Sequence, residues 1–136
     1  MQSHFLPTIR SATALDTARL RLEWSDGTMA DVAVPGVLNL AAVQLGDWGH
    51  SLIWPDGSEI GADSLWRDTL EAIGRGDART FLEWRLTNGL SLTKAAEALG
   101  LARRTVAYYS NGDRSVPKTV LLACKGWDAT HRRKAA

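Results

Sequence analysis

The sequence predicts a mixed α+β protein, in which a small strand-rich α/β domain, residues 1–76, precedes an all-helical domain, residues 77–136. Three observations predict this. Polar and apolar residues alternate at the period of a half-buried strand in the first part. In the second part, apolar residues recur at helical spacing in short stretches separated by Gly. The formal charge also divides, from −5 over residues 1–76 to +6 over residues 77–136, which indicates two modules with different partners.

Composition narrows the class of protein. Apolar residues make up 45% of the 136 residues and charged residues 23%, as in folded globular proteins and unlike disordered ones. No apolar run reaches the roughly 20 residues that a membrane-spanning helix needs. The single cysteine, Cys124, excludes an internal disulfide and fits a reducing cytoplasm. We expect Cys124 to be an inert apolar side chain.

The first elements of the strand-rich domain form a predicted hairpin. Residues 19–24 alternate polar and apolar, residues 25–27 (Ser-Asp-Gly) are a turn signal, and residues 28–34 read as the return strand. A further strand is predicted at residues 51–54. It ends in residues 55–57 (Pro-Asp-Gly), so we expect a tight turn beside a packed Trp54.

The remaining elements of this domain are less sharply defined. A strand is predicted over residues 8–14, whereas the apolar residues 38–45 fit neither period. Asp63 opens an amphipathic helix that ends at residues 74–76 (Gly-Arg-Gly), where we place the domain boundary.

Four helices are predicted in the second domain. Asp77 is expected to cap the first, which ends at Asn88-Gly89, and Ser91 to cap the second, which ends at Gly100. The third is predicted from Ala102 to Ser110, and the fourth begins at Pro117, a favoured first-turn residue. The residues expected on buried faces are Ala78, Phe81, Leu82, Leu86, Leu92, Ala95, Ala96, Leu99, Leu101, Val106, Tyr109, Val120, Leu121 and Cys124.

The short link between the second and third predicted helices is the feature that indicates a function. Residues 100–102 are too few for an antiparallel hairpin, so they predict the steep crossing of a helix-turn-helix. The outer face of the third helix would then show Arg103, Arg104, Ala107 and Tyr108. Arg at the start of such a helix can bond the O6 and N7 atoms of guanine with two hydrogen bonds.

Residues 89–112, GLSLTKAAEALGLARRTVAYYSNG, resemble the lambda-repressor and Cro-like (XRE-type) helix-turn-helix family, over a match of about fifty residues. The resemblance implies base contacts from Arg103, Arg104 and Tyr108, and phosphate contacts from Thr93, Asn111 and Lys118. The full predicted DNA-binding set is Thr93, Lys94, Arg103, Arg104, Tyr108, Asn111 and Lys118. Two positions depart from the family: Leu92 replaces a frequent Gln, and Ala102 replaces a capping Ser or Thr, at a cost of about 1 kcal/mol.

The first domain has a resemblance of its own. Residues 23–27 (EWSDG), 53–60 (IWPDGSEI) and 63–66 (DSLW) resemble a bacterial domain-of-unknown-function family, number 2442. That resemblance implies a strand-rich fold and a bacterial protein, and the single cysteine places it in the cytoplasm. Members of that family often occur near toxin–antitoxin genes or fused to helix-turn-helix modules, and no reaction comes with the resemblance.

The sequence therefore predicts sequence-specific binding to double-stranded DNA by a homodimeric transcriptional regulator. Residues 1–76 would provide dimerisation or partner binding. The alternative is an antitoxin-type protein that binds a small basic toxin and autoregulates its operon. An enzyme, a cofactor and a metal site are not expected, because His spacing, nucleophile motifs and phosphate-binding Gly loops all fail to match.

Overall fold

The computed structural model describes residues 6–36 and 38–135, the last four by their backbone only. Two compact units divide the chain between Gly74 and Arg75. The predicted mixed α+β class is confirmed. The strands are β1 (Ile9–Ala14), β2 (Arg19–Trp24), β3 (Met29–Ala33), β4 (Gln44–Gly46), β5 (Ser51–Ile53) and β6 (Glu59–Gly61), and the helices are α1 (Ala62–Ala72), α2 (Gly76–Thr87), α3 (Leu92–Leu99), α4 (Arg103–Asn111) and α5 (Lys118–Ala135).

The first sheet of the N-terminal unit is antiparallel, in the order β1-β2-β3. Strand β2 alternates as predicted: Leu20, Leu22 and Trp24 are fully buried, and the side chains between them point to the other face. The buried face packs on α1. There the Trp24 indole donates a hydrogen bond to the Thr69 hydroxyl at 3.0 Å, and its ring meets Trp66 edge-on at 4.9 Å.

A second antiparallel sheet has the order β4-β5-β6. The apolar residues 38–45, assigned to no element from sequence, form a short 3-10 turn at Leu40–Ala42 and the start of β4. The predicted tight turn is confirmed: the buried Trp54 donates from its indole to the Asn39 carbonyl at 3.0 Å, and Gly57 takes a positive φ of 93°. Strand β6, which was not predicted, returns from this turn.

Helices α2–α5 form the C-terminal unit around one apolar core. Phe81 is fully buried in this core and lies edge-on to Tyr109, at 5.3 Å between ring centroids. Most of the residues predicted on buried faces belong to this core or pack against it. Cys124 is buried in α5 as expected, and burial raises the pKa of its thiol to about 11, which keeps it protonated and unreactive at neutral pH.

The predicted capping role of Asp77 is wrong. Helix α2 begins two residues earlier than an Asp77 cap would place it, at Gly76, and Arg75 occupies the N-cap position without a side-chain cap. The Asp77 carboxylate lies in the first turn and binds Arg75 and the backbone N–H of Val116 instead. The cap motif assumes that the carboxylate has only local donors, and here a cation and a distant N–H compete for it.

In the part of the chain that the structure describes, no helix combines the length and the apolar character needed to cross a membrane. Within the same ranges, no three His, Cys, Asp or Glu side chains come together in a way that could hold a metal ion.

Candidate functional site

Helices α3 and α4 are joined by a three-residue turn with a defined backbone. The Ser91 hydroxyl accepts a hydrogen bond from the Lys94 N–H at 3.0 Å, which is the predicted cap of α3. Gly100 ends α3 in the left-handed region, at φ 69°, which a residue without Cβ adopts readily. Leu101 then donates its N–H to the Ala96 carbonyl at 2.9 Å. Ala102 starts α4 without a side-chain cap, as the sequence predicted.

The inner faces of these two helices are buried. Ala95 and Ala96 of α3 and Val106 and Tyr109 of α4 all lie in the core, as expected. The expectation that Ala107 faces outward is wrong, because only 5% of its surface is exposed. Helix α4 packs against both α2 and α3. A larger part of its surface is therefore buried than if it packed against one helix.

The seven residues predicted to contact DNA differ in their exposure. Thr93 and Lys94 near the start of α3, Arg103 and Arg104 at the start of α4, and Lys118 at the start of α5 are exposed. Tyr108 and Asn111 are half-buried.

Arg103 and Arg104 are available to a ligand. Within residues 6–36 and 38–131, neither guanidinium forms a hydrogen bond or an ion pair. Lys94 lies 3.9 Å from the Glu97 carboxylate, a loose contact between two well-exposed side chains, and such pairs contribute little to stability. The α3–α4 pair therefore presents cations whose charge is not neutralised by close internal partners.

The loop that follows α4 carries a cation that sequence reasoning missed. The Arg114 guanidinium lies over the Tyr108 ring, 4.4 Å from its centroid, so the half-buried Tyr108 forms a platform for an exposed cation. No periodicity marks Arg114, because its position depends on the left-handed residue Gly112 that ends α4.

Arg75 holds this loop in place. Its guanidinium donates to the carbonyl oxygens of Gly112 and, at 3.0 Å, of Arg114, and it also forms an ion pair with Asp77 at 3.1 Å. Asp77 in turn accepts the Val116 N–H at 2.7 Å. We call Arg75, Asp77 and their backbone partners the loop clamp. The clamp joins the start of α2 to the segment 112–116, about forty positions away in sequence.

The charge of Asp77 keeps the clamp closed. Partial burial acts to raise the pKa of Asp77, but the hydrogen bonds from Arg75 and from the backbone of Val116 and Ala78 outweigh it and hold the pKa below its usual range. The carboxylate is therefore ionised throughout the neutral range.

A buried arginine ties three elements of this unit together. Arg85 of α2 is only 8% exposed, and it donates to the Ser110 hydroxyl of α4 at 3.2 Å and to the Leu90 carbonyl before α3 at 3.1 Å. The Ser110 hydroxyl in turn donates a hydrogen bond to the Val106 carbonyl at 2.8 Å. Burial lowers the pKa of Arg85, and these neutral acceptors compensate part of its lost hydration. Arg85 thus fixes α4 relative to the turn that leads into α3.

The chain is similar in sequence and structure to a protein of known structure. A crystal structure of a "putative DNA binding protein" from Nitrosomonas europaea ATCC 19718 is 35% identical in sequence to this chain. The alignment covers 96% of this chain and 92% of that one, with a TM-score of 0.66. The chain belongs to the same family as that protein. No protein-family model and no curated protein matches the chain.

Because the alignment extends over almost the full length of both proteins, the likeness includes both units. The similarity between the two proteins is therefore not confined to the α3–α4 pair.

Proposed function

We propose that this protein binds double-stranded DNA through the α3–α4 pair, with Arg103 and Arg104 reading base edges in the major groove. The observation that carries the proposal is the exposure of both guanidinium groups, at the start of a short helix whose opposite face is buried. A helix of this kind fits the major groove, and a free Arg can bond guanine bidentately. The DNA-binding description of the Nitrosomonas europaea relative supports the same function.

The other members of the predicted set take supporting roles in this proposal. Thr93, Lys94 and Lys118 lie at or near helix starts, where they would meet phosphates and set the register of the protein on the duplex. Arg114, stacked on Tyr108 and held by the loop clamp, adds a cation on the same loop-and-helix segment. The helix-turn-helix resemblance of residues 89–112 agrees with these roles.

The finer proposal is a homodimeric transcriptional regulator. One α4 offers two free arginines, which is too little base contact for a selective site. Two copies on a near-palindromic operator would double the contact and fix the spacing of the half-sites. In this proposal residues 6–74 contribute the dimer contact or bind a further protein.

The test begins with selection of bound sequences from a random duplex pool, using the full chain. Anisotropy titration of the selected operator then compares wild type with Arg103→Ala and Arg104→Ala. Each replacement should weaken binding by about 1–3 kcal/mol, roughly 5- to 150-fold, and relax the preference at one base position.

Arg10→Ala is the matched control, because it removes the same charge from an exposed side chain of the N-terminal unit that pairs only loosely with Glu23, at 3.6 Å. It should leave operator affinity within about twofold. If neither α4 variant changes affinity or preference, the assignment of α4 as the reading helix is wrong.

An antitoxin-type interaction protein is the second candidate. From Leu22 to Trp66 the chain contains seven Asp and Glu and neither Lys nor Arg, which favours a basic protein as the ligand of the N-terminal unit. Affinity capture on the full chain from its native host should then recover a small basic protein. Recovery of none would contradict this candidate and leave the DNA proposal unaffected.

A further inference from the structure

The most exposed large apolar side chain of the described residues is Trp48. It is 94% exposed in the turn between β4 and β5, whereas Trp24, Trp54, Trp66 and Trp84 are all buried. An indole in full contact with water contributes nothing to the folding of its own unit. Exposed tryptophans are also rare, and Trp is among the residues that dominate the energetics of protein interfaces.

The backbone under Trp48 is strained. Asp47 has a φ of 47° and Trp48 a φ of 57°, the left-handed region that a bulky side chain rarely adopts. The chain is closely packed on either side of these two residues. A Cβ on Gly49 would lie 2.4 Å from the Ile9 carbonyl oxygen, and a Cβ on Gly46 would lie 2.7 Å from the Ile53 side chain.

Hydrogen bonds complete the turn. The His50 N–H donates to the Asp47 carbonyl at 3.0 Å, and the His50 carbonyl accepts the Ala62 N–H at 2.8 Å. The turn is thereby fixed on both sides and holds an aromatic ring out in solvent at a cost in backbone strain. Strain held in this way is typical of positions that serve binding.

The charged residues near the Trp48 ring indicate the kind of partner that it would bind. Asp47 adjoins it in the chain, and the bond between Ala62 and His50 brings the first turn of α1, with the exposed Asp63, beside the same turn. The whole segment from Leu22 to Trp66 lacks Lys and Arg. An exposed indole with carboxylates nearby in the chain attracts a guanidinium or ammonium group through cation–π and ionic contacts.

We propose that Trp48 and Asp47 form the docking point for an arginine- or lysine-rich segment of a partner protein. The cation of the segment lies over the exposed indole while the carboxylates neutralise its flanking charges. This inference is independent of DNA binding, and it gives the interaction-protein candidate a specific contact residue.

The experiment measures anisotropy of a fluorescein-labelled arginine-rich peptide titrated with the full chain at low salt. Trp48→Ala should weaken binding about fivefold or more, as loss of a partly desolvated cation–π contact implies, and Trp48→Phe should restore part of the affinity. Asp47→Asn should also weaken it. The matched control is Met29→Ala, which removes another large exposed side chain, 56% exposed, from the same unit. It should leave binding unchanged.

A second readout separates binding from folding. Trp48→Gly should lose peptide binding but keep or raise the melting temperature, because Gly relieves the positive φ at this position. A drop in melting temperature would show that Trp48 serves the fold, and the proposal would fail.

Three other outcomes would also overturn the proposal. If wild type binds the peptide and Trp48→Ala binds it equally well, the contact lies elsewhere in the acidic unit and the interaction-protein candidate survives. If wild type does not bind the peptide, the docking proposal is wrong, and affinity capture decides the interaction-protein candidate separately. If Trp48→Ala lowers the molecular mass of the free protein, a second copy covers the indole.

Discussion

The arginines of the C-terminal unit differ because their partners differ. Arg85 is buried against neutral acceptors, Arg75 is shared between a carboxylate and two carbonyls, and Arg103 and Arg104 have no close partner in the described part of the chain. The first two fix the positions of helices and loops. The last two remain available to an external ligand, so their replacement should change binding without changing the fold.

The Arg75–Asp77 pair predicts a pH-dependent stability. Asp77→Asn should lower the free energy of unfolding at neutral pH by about 1–2 kcal/mol, the scale of hydrogen bonds to a charged group. The pKa of Asp77 is lowered in the folded state, so its contribution is present above the unfolded value of about 3.9. The contribution is lost as the pH falls through the lower native pKa. Melting temperatures of both proteins, measured from pH 7 downward, should therefore converge in acid.

Glu83→Gln is the control for this comparison. Glu83 also lies on α2 and pairs with an arginine, Arg79, at 2.9 Å, but it is 43% exposed and that pair lies within one helix. Its replacement should change stability by no more than about 0.5 kcal/mol. A constant difference between wild type and Asp77→Asn at every pH would contradict the role of the carboxylate charge.

At the scale of elements, the sequence predicted those strands and helices whose ends are marked by local residue patterns. Strand β2 alternates over six residues, and α3 has both a capping Ser91 and a terminal Gly100, so their bounds could be read closely. Strands β4 and β6 have three residues each, too few to show a period. The loop clamp, the burial of Ala107 and the exposure of Trp48 depend on contacts between distant residues, which no local pattern encodes.

The two helices of the α3–α4 pair begin differently, so substitutions at their two N-cap positions should change stability in opposite directions. Ala102 has the extended φ and ψ of an N-cap residue but no side-chain acceptor, whereas Ser91 caps α3. Ala102→Ser should raise the free energy of unfolding by about 1 kcal/mol, and Ser91→Ala should lower it by a similar amount. Denaturant unfolding of the full chain measures both. If Ala102→Ser leaves stability unchanged, another group already satisfies the free N–H groups at the start of α4.

At the scale of the whole molecule, the two units carry exposed groups of opposite charge. The N-terminal unit contributes carboxylates and an exposed indole, and the C-terminal unit contributes unpaired cations at helix starts. A polyanion and a polycation would therefore select different units of the same chain. In the proposals made above, DNA and a basic protein partner do not compete for one site.

Because a single α4 provides few base contacts, we expect two chains on each selected operator, with half-sites about 34 Å, one helical turn, apart. Sedimentation of the complex measures the number of chains. Inserting half a turn of DNA between the half-sites should weaken binding, because it rotates one site to the opposite side of the duplex. The logarithm of the binding constant should fall linearly with the logarithm of the salt concentration, with a slope near −0.9 per phosphate contacted. Lys118→Ala should reduce the magnitude of that slope by about one. One chain per operator, with no effect of the insertion, would show that the protein reads DNA as a monomer.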